Sequence, residues 1–111
     1  MNKVKALKIA LDYDETFTKD PWLWQMFVAA AKERGHEVKI VTSRYKEMTI
    51  DNEQLEECAD VMGIDIIYTG MEQKSYHYEA DIWLDDYPVI IPKHPLLYTY
   101  SRAVHEFSED E

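Results

Sequence analysis

The sequence predicts an α/β fold: a three-layer, Rossmann-like, mainly parallel sheet with helices on both faces. Three observations carry that prediction. Short apolar runs alternate with segments of helical periodicity along the chain, the pattern that right-handed crossovers turn into a parallel sheet. The runs are close to continuously apolar, as in strands covered on both sides. Polar residues (Asp12, Thr42 and Asp85) stand where the runs end, and in such sheets ligands bind beyond the carboxyl ends of the strands.

The first run, Val4 to Tyr13, is rich in Val, Ile, Leu and Ala and reads as a buried strand ending at Asp12. After a polar connection, Glu15 to Lys19, Asp20 is placed to cap a helix with Pro21 in its first turn. Leu23, Met26, Phe27, Ala30 and Ala31 recur there at helical spacing and are expected to face inward, with Gly35 as the stop. Trp22 and Trp24 cannot both face one core from that helix, so one of them is expected at a partner surface. The second strand is Glu37 to Val41, with Thr42 and Ser43 at its end. A second helix is expected from about Asp51, whose spacing to Gln54 has the form of a capping box, and carries Leu55, Cys58, Ala59 and Met62 inward until Gly63. Strand three is Ile64 to Tyr68, followed beyond Gly70 by a short helix from about Glu72 to Tyr78 with Lys74 in its first turn. Strand four is Asp81 to Leu84, and Pro88 turns the chain away. Pro88 and Pro92 confine a fifth strand, at Val89 to Ile91, to an edge. Tyr98 to Phe107 is compatible with a terminal helix.

A chain of 111 residues is expected to form one domain, with a core at about residues 4–92 and an acidic tail at about 106–111. An apolar share of 46% with three Trp and eight Tyr marks a folded protein. The formal charge of −10 argues against long nucleic acid or an anionic membrane as a broad-surface partner, because Lys and Arg drive such binding. Four of those charges lie in the last six residues, which leaves the body at about −6. No apolar run approaches the roughly 20 residues of a membrane span. Cys58 has no second cysteine to pair with, and Met1 to Lys5 reads as the approach to a strand, so a reducing cytoplasm is expected. His36, His77, His94 and His105 show no metal-ligand spacing.

The chemistry is concentrated in two acidic motifs, Leu11-Asp12-Tyr13-Asp14-Glu15-Thr16 and Ile82-Trp83-Leu84-Asp85-Asp86. If the fold brings Asp12, Asp14, Asp85 and Asp86 together, a cation is needed to keep most of them ionised, and hard oxygen ligands suit Mg²⁺. Of the Asp12/Asp14 pair, one carboxylate can attack an electrophile while the other, protonated, serves the leaving group. The competing reading is an acidic turn with Asp14 as a cap. Thr42 offers a hydroxyl and an N–H to a phosphate oxygen, or simply terminates its strand. Lys74 opens a helix, where the dipole disfavours a cation, so it is either a surface lysine or the partner of a phosphoryl oxygen or carboxylate.

Taken together, these residues resemble the haloacid dehalogenase-like superfamily. Asp12-Tyr13-Asp14-Glu15-Thr16 looks like its first motif, Ile40-Val41-Thr42 its second, Lys74 its third and Leu84-Asp85-Asp86 its fourth, in order from about Leu7 to Ile91. More narrowly, the chain resembles the short members without a cap domain that occur in bacterial and phage genomes. The segments where relatives insert a lid are here only Phe17 to Asp20 and Tyr45 to Ile50. The resemblance implies a minimal core with an open site, Asp12 as nucleophile forming an aspartyl-phosphate, and Asp14 as general acid and then base. It implies a phosphoryl group held by Thr42, Ser43 and Lys74. It also implies Mg²⁺ bound by Asp12, the backbone carbonyl of Asp14, and Asp85 or Asp86. Many relatives have Gly directly after the second aspartate, where this chain has Glu15.

The expected function is therefore a Mg²⁺-dependent phosphohydrolase acting on a small phosphomonoester such as a nucleotide, with a homo-oligomer as one way of covering the open site. Trp22, Trp24, Tyr45, Tyr76 and Tyr78 are candidates to stack on a base, or ordinary core and interface aromatics. The alternative is a binding protein that uses the same pocket to sequester a nucleotide-derived signalling molecule without turning it over. A structural subunit with an idle site is a third reading, and it leaves the four motifs unexplained.

Overall fold

The computed structural model describes residues 5–91. The expected terminal helix at 98–107, the acidic tail, Pro92, His94 and His105 lie outside the described residues. Among these, strands β1 (Lys8–Leu11), β2 (Glu37–Thr42), β3 (Ile66–Tyr68) and β4 (Ile82–Leu84) alternate with helices α1 (Pro21–Glu33) and α2 (Glu53–Met62). All strand pairs are parallel and the order is β3-β2-β1-β4. The α/β class and the parallel sheet are as the sequence predicts.

That order fixes where everything else must go. From β1 to β2 to β3 the chain steps in one direction, so right-handed crossovers put α1 and α2 on the same face. There Ile9, Leu11, Val38 and Ile40 pack with Phe17, Val28 and Ala31, and with Leu55 and Ala59 of α2. From β3 the chain must return past β2 and β1 to reach β4, and it does so on the opposite face. That face carries Ala10, Val41, Ile67 and Trp83, covered by Tyr78 and Ala80 of the return segment. Among the described residues the second face therefore has no helix. The expected helix over Glu72–Tyr78 is a single 3₁₀ turn, Lys74–Tyr76, and the expected edge strand at Val89–Ile91 is another, Pro88–Ile90.

Local chemistry explains the element ends. Asp20 caps α1 by accepting from the Leu23 N–H at 3.1 Å, with Pro21 leading the helix. Gly63 ends α2 in the left-handed region at φ 67°, and Lys32 of α1 donates to the last carbonyls of α2, Met62 and Gly63, at 2.9 and 3.0 Å. The cap of α2 is Asn52, which makes no side-chain cap bond, so the expected capping box at Asp51 does not form. Instead the Asn52 amide donates to the Tyr45 carbonyl at 2.9 Å.

The inward face of α1 differs from the expectation. Val28 and Ala31 are buried and Trp24 and Phe27 pack against them, whereas Leu23 and Met26 are about half exposed. Trp22 is exposed, so the two tryptophans do part company as the spacing requires. No helix among the described residues is long and apolar enough to cross a membrane.

Candidate functional site

In the order β3-β2-β1-β4, β1 and β4 are neighbours although they lie far apart in the chain, and strand order reverses between them. The crevice beyond their carboxyl ends is the place where a doubly wound sheet binds ligands. Leu11 pairs with Leu84 at the last rung, and the Asp12 N–H continues the ladder to the Leu84 carbonyl at 2.9 Å. Asp12 thus leaves β1 beside Asp85 and Asp86 leaving β4.

Carboxylate oxygens of Asp12, Asp85 and Asp86 all lie within 4.8 Å of one another. Lys74 balances part of this charge. Its ammonium, 1% exposed, donates to Asp12 Oδ1 at 2.8 Å and to Asp85 Oδ2 at 2.5 Å. A buried lysine is tolerated only when paired, and here the return crossover delivers it between two buried carboxylates. The Thr16 hydroxyl ties the two motifs together. It donates to Asp86 Oδ1 at 2.8 Å, accepts from the Asp86 N–H at 3.1 Å, and lies 3.3 Å from Asp12 Oδ2. Having one proton, it serves Asp86 and leaves Asp12 Oδ2 weakly partnered.

These surroundings set the protonation. Burial pushes the Asp12 carboxyl up to about 6 against the opposing pull of Lys74, with the Asp85 charge adding to the rise. Asp86 is held below the usual carboxylate range by its bond to Thr16 and then by Asp12. Three carboxylates with one ammonium leave a net negative cluster. This donor set, all hard oxygen and under-neutralised, fits a divalent cation such as Mg²⁺.

Asp14 goes elsewhere. Its exposed carboxylate is gripped by Arg44, with Nη2 to Oδ1 at 2.7 Å and Nε to Oδ2 at 2.9 Å. This two-pronged pair keeps the Asp14 carboxylate apart from the other three. Arg44 is the residue of this candidate site that sequence reasoning missed. Its guanidinium also stacks over the Tyr13 ring at 5.1 Å and donates from Nη1 to the Asp51 carbonyl at 2.6 Å. Thr42 is buried at the end of β2, and its hydroxyl accepts the Arg44 N–H at 3.2 Å. Ser43 is half buried, and its carbonyl accepts the Met71 N–H at 2.8 Å.

Of the candidate stacking aromatics, Trp24 packs in the core, and Trp22 and Tyr76 are exposed away from this cluster's bonding network. Tyr78 is buried and donates to Glu37 at 2.6 Å, burial and that bond both raising its phenol. Tyr45, directly after Arg44, is the one that adjoins the site. His36 accepts the Leu7 N–H at 3.0 Å and His77 pairs with Glu72 at 2.8 Å, so neither takes part.

Glu15 occupies the left-handed region at φ 63°, which favours glycine. Its N–H is held by Thr18 Oγ1 at 3.0 Å, and its side chain makes a solvent-exposed pair with Lys19 that contributes little. Glu15→Gly is expected to stabilise the protein by about 0.5–1 kcal/mol, read as a melting temperature a few degrees higher. A lower melting temperature would show that the Glu15 side chain matters more than its backbone strain.

In comparisons with known proteins, no family model matches the chain, and neither the curated proteins nor the solved structures include a significant match.

Proposed function

We propose that the protein is a Mg²⁺-dependent phosphohydrolase of the haloacid dehalogenase-like type, built on a minimal three-layer core without a cap and acting on small phosphomonoesters. The observation that carries this reading is the buried Asp12–Lys74–Asp85 arrangement at the β1/β4 switch point. It supports the reading because carboxylates and an ammonium meet at one strand edge, and phosphoryl transfer needs positioning and charge neutralisation above all.

In this mechanism the Asp12 carboxylate attacks phosphorus, the ester P–O bond breaks, and Asp14 gives its proton to the departing alkoxide. Water then attacks the aspartyl-phosphate, Asp14 takes the proton, and Asp12 is regenerated with release of phosphate. A carboxyl titrating near 6 is mostly ionised at neutral pH and is therefore ready to attack. Lys74 keeps Asp12 oriented, and the Thr42 hydroxyl, which accepts the Arg44 N–H and keeps its own proton, together with the Ser43 hydroxyl would supply donors to the phosphoryl oxygens. Asp12, Asp85 and Asp86 would hold Mg²⁺, which when bound would neutralise phosphoryl charge that the acidic cluster otherwise repels.

Asp14 must leave Arg44 and acquire a proton before it acts as an acid. That same grip favours a second reading, a binding protein whose Asp14 stays locked while a phosphorylated ligand is sequestered. Release of phosphate from a panel of phosphomonoesters in Mg²⁺, abolished by EDTA, is the expected result. Tight binding with no release from any substrate would replace the hydrolase by the binder.

Protonation gives a separate check on the cation. The folded Asp12 binds its proton more tightly than an unfolded carboxyl titrating near 3.8. Its contribution to stability therefore falls as pH rises from about 4 through about 6. Measured as wild type against Asp12→Asn, which cancels the other carboxylates, this loss should appear in EDTA. Mg²⁺ favours the ionised form and should raise the wild-type melting temperature at about pH 7.5 more than at about pH 4.5. An equal rise at both would place the cation away from Asp12.

A further inference from the structure

Beside the Asp14–Arg44 pair lies a hollow of about 410 Å³ lined by Arg44, Tyr45, Met48, Asp51 and Asn52. The guanidinium that grips Asp14 also forms one of its walls. If Asp14 serves the leaving group, then the group that leaves lies next to this hollow. The volume is within the usual range for small-molecule sites, and a phosphate alone does not need it.

The walls are held in place. Asn52 is 1% exposed and uses its amide to hold the Tyr45 carbonyl. The Gly70 N–H donates to the Arg44 carbonyl at 3.1 Å and the Met71 N–H to that of Ser43, fixing the chain directly before Tyr45. Gly70 also gives the Tyr45 ring a close seat: a Cβ there would stand 3.1 Å from Cδ1 and 3.2 Å from Cε1. The ring is packed against backbone yet remains 51% exposed, and Met48 is 53% exposed. Two half-exposed apolar side chains therefore stand beside a guanidinium and the exposed Asp51.

We infer that this hollow is the subsite for the alcohol half of the phosphomonoester and that it takes a nucleoside, the base against Tyr45 and Met48 and the sugar hydroxyls toward Asp51. The inference rests on the phosphoryl site proposed above. A polyol would make no use of Tyr45 and Met48, and an alkyl alcohol none of Asp51. A nucleoside uses both, because it joins a flat ring to a pair of hydroxyl donors.

The test measures binding in Mg²⁺ to the full chain carrying Asp12→Asn, with adenosine 5′-monophosphate and ribose 5-phosphate as probes. The nucleotide is expected to bind about tenfold more tightly or better, the gain associated with one stacked base. Adding Tyr45→Ala should remove that advantage, while Tyr45→Phe keeps it and ribose 5-phosphate is unaffected by either. The wild-type enzyme gives the same comparison as a change in KM for the nucleotide with kcat retained, and serves if the Asp12→Asn chain does not fold. Equal binding of the two probes, or equal weakening of both by Tyr45→Ala, overturns the subsite. Preferential nucleotide binding with no wild-type turnover overturns the hydrolase and retains the subsite. Binding of neither probe overturns the subsite, and the hydrolase then stands or falls on phosphate release from the wider phosphomonoester panel.

Discussion

Asp12→Asn is expected to lower phosphate release by roughly 10⁴-fold or more, the scale on which removing a nucleophile acts in enzymes that work through covalent intermediates. The substitution keeps the shape of the side chain and its place at the end of β1, but an amide neither attacks phosphorus nor carries the charge that Lys74 faces at 2.8 Å. Lys74 retains Asp85 at 2.5 Å, so its ammonium stays paired and the fold should survive. Asn also has no proton equilibrium near pH 6, so the variant loses the pH-dependent part of the stability that Asp12 contributes. Activity and stability thus respond separately: turnover collapses while the melting temperature near neutral pH holds or rises. Phosphate release measured in single-turnover conditions, with melts on the same samples, checks both. Retention of more than a few per cent of wild-type turnover would remove Asp12 from the role of nucleophile.

The same cluster shows what a sequence can and cannot disclose. Asp12, Asp85 and Asp86 were legible because a charged residue directly after an apolar run has few places to be except the edge of a sheet, and Lys74 because a cation opening a short element wants a partner. Their mutual distances follow from strand order, with β1 and β4 adjacent at the switch point. Arg44 carried no comparable local signal. It sits in a polar stretch after β2, and its bond to Asp14 spans 30 residues. The available hint was position: an arginine two residues past Thr42 at the carboxyl end of a central strand, in a chain short of positive charge.

The face of α1 was ambiguous for a different reason. Leu23/Met26/Phe27 and Trp24/Phe27/Val28/Ala31 are both helical stripes, and only packing on Ile9, Leu11 and Ile40 selects the second. The turn at Lys74–Tyr76 replaces a helix because the return segment must cross the sheet while aiming Lys74 into the site. Long-range demand of that kind overrides local propensity.

Lys74→Met is expected to be the most destabilising single change in the site, by about 3–5 kcal/mol near neutral pH without a divalent cation. The ammonium is 1% exposed, and its two carboxylate partners are 10% and 3% exposed at the side chain. Methionine fills a similar volume, so the loss is electrostatic: Asp12 and Asp85 remain buried with no cation between them. Against a total stability of about 5–15 kcal/mol for a typical domain, that is enough to unfold much of the protein on modest warming. The loss must depend on pH. Burial already pushes the Asp12 carboxyl up to about 6 with Lys74 present; without Lys74 its proton is held more tightly still. Protonation then removes one of the two stranded charges, so the difference from wild type shrinks as pH falls from about 8 to about 5. Mg²⁺ supplies positive charge to the same carboxylates and should restore part of the stability at the higher pH, without restoring activity, because Asp12 is then no longer oriented by the ammonium. Denaturant titrations at both pH values, with and without Mg²⁺, read all of these effects. A variant as stable as wild type in EDTA near pH 8, or one whose loss is unchanged at pH 5, would show that Lys74 is not what keeps the buried acids charged.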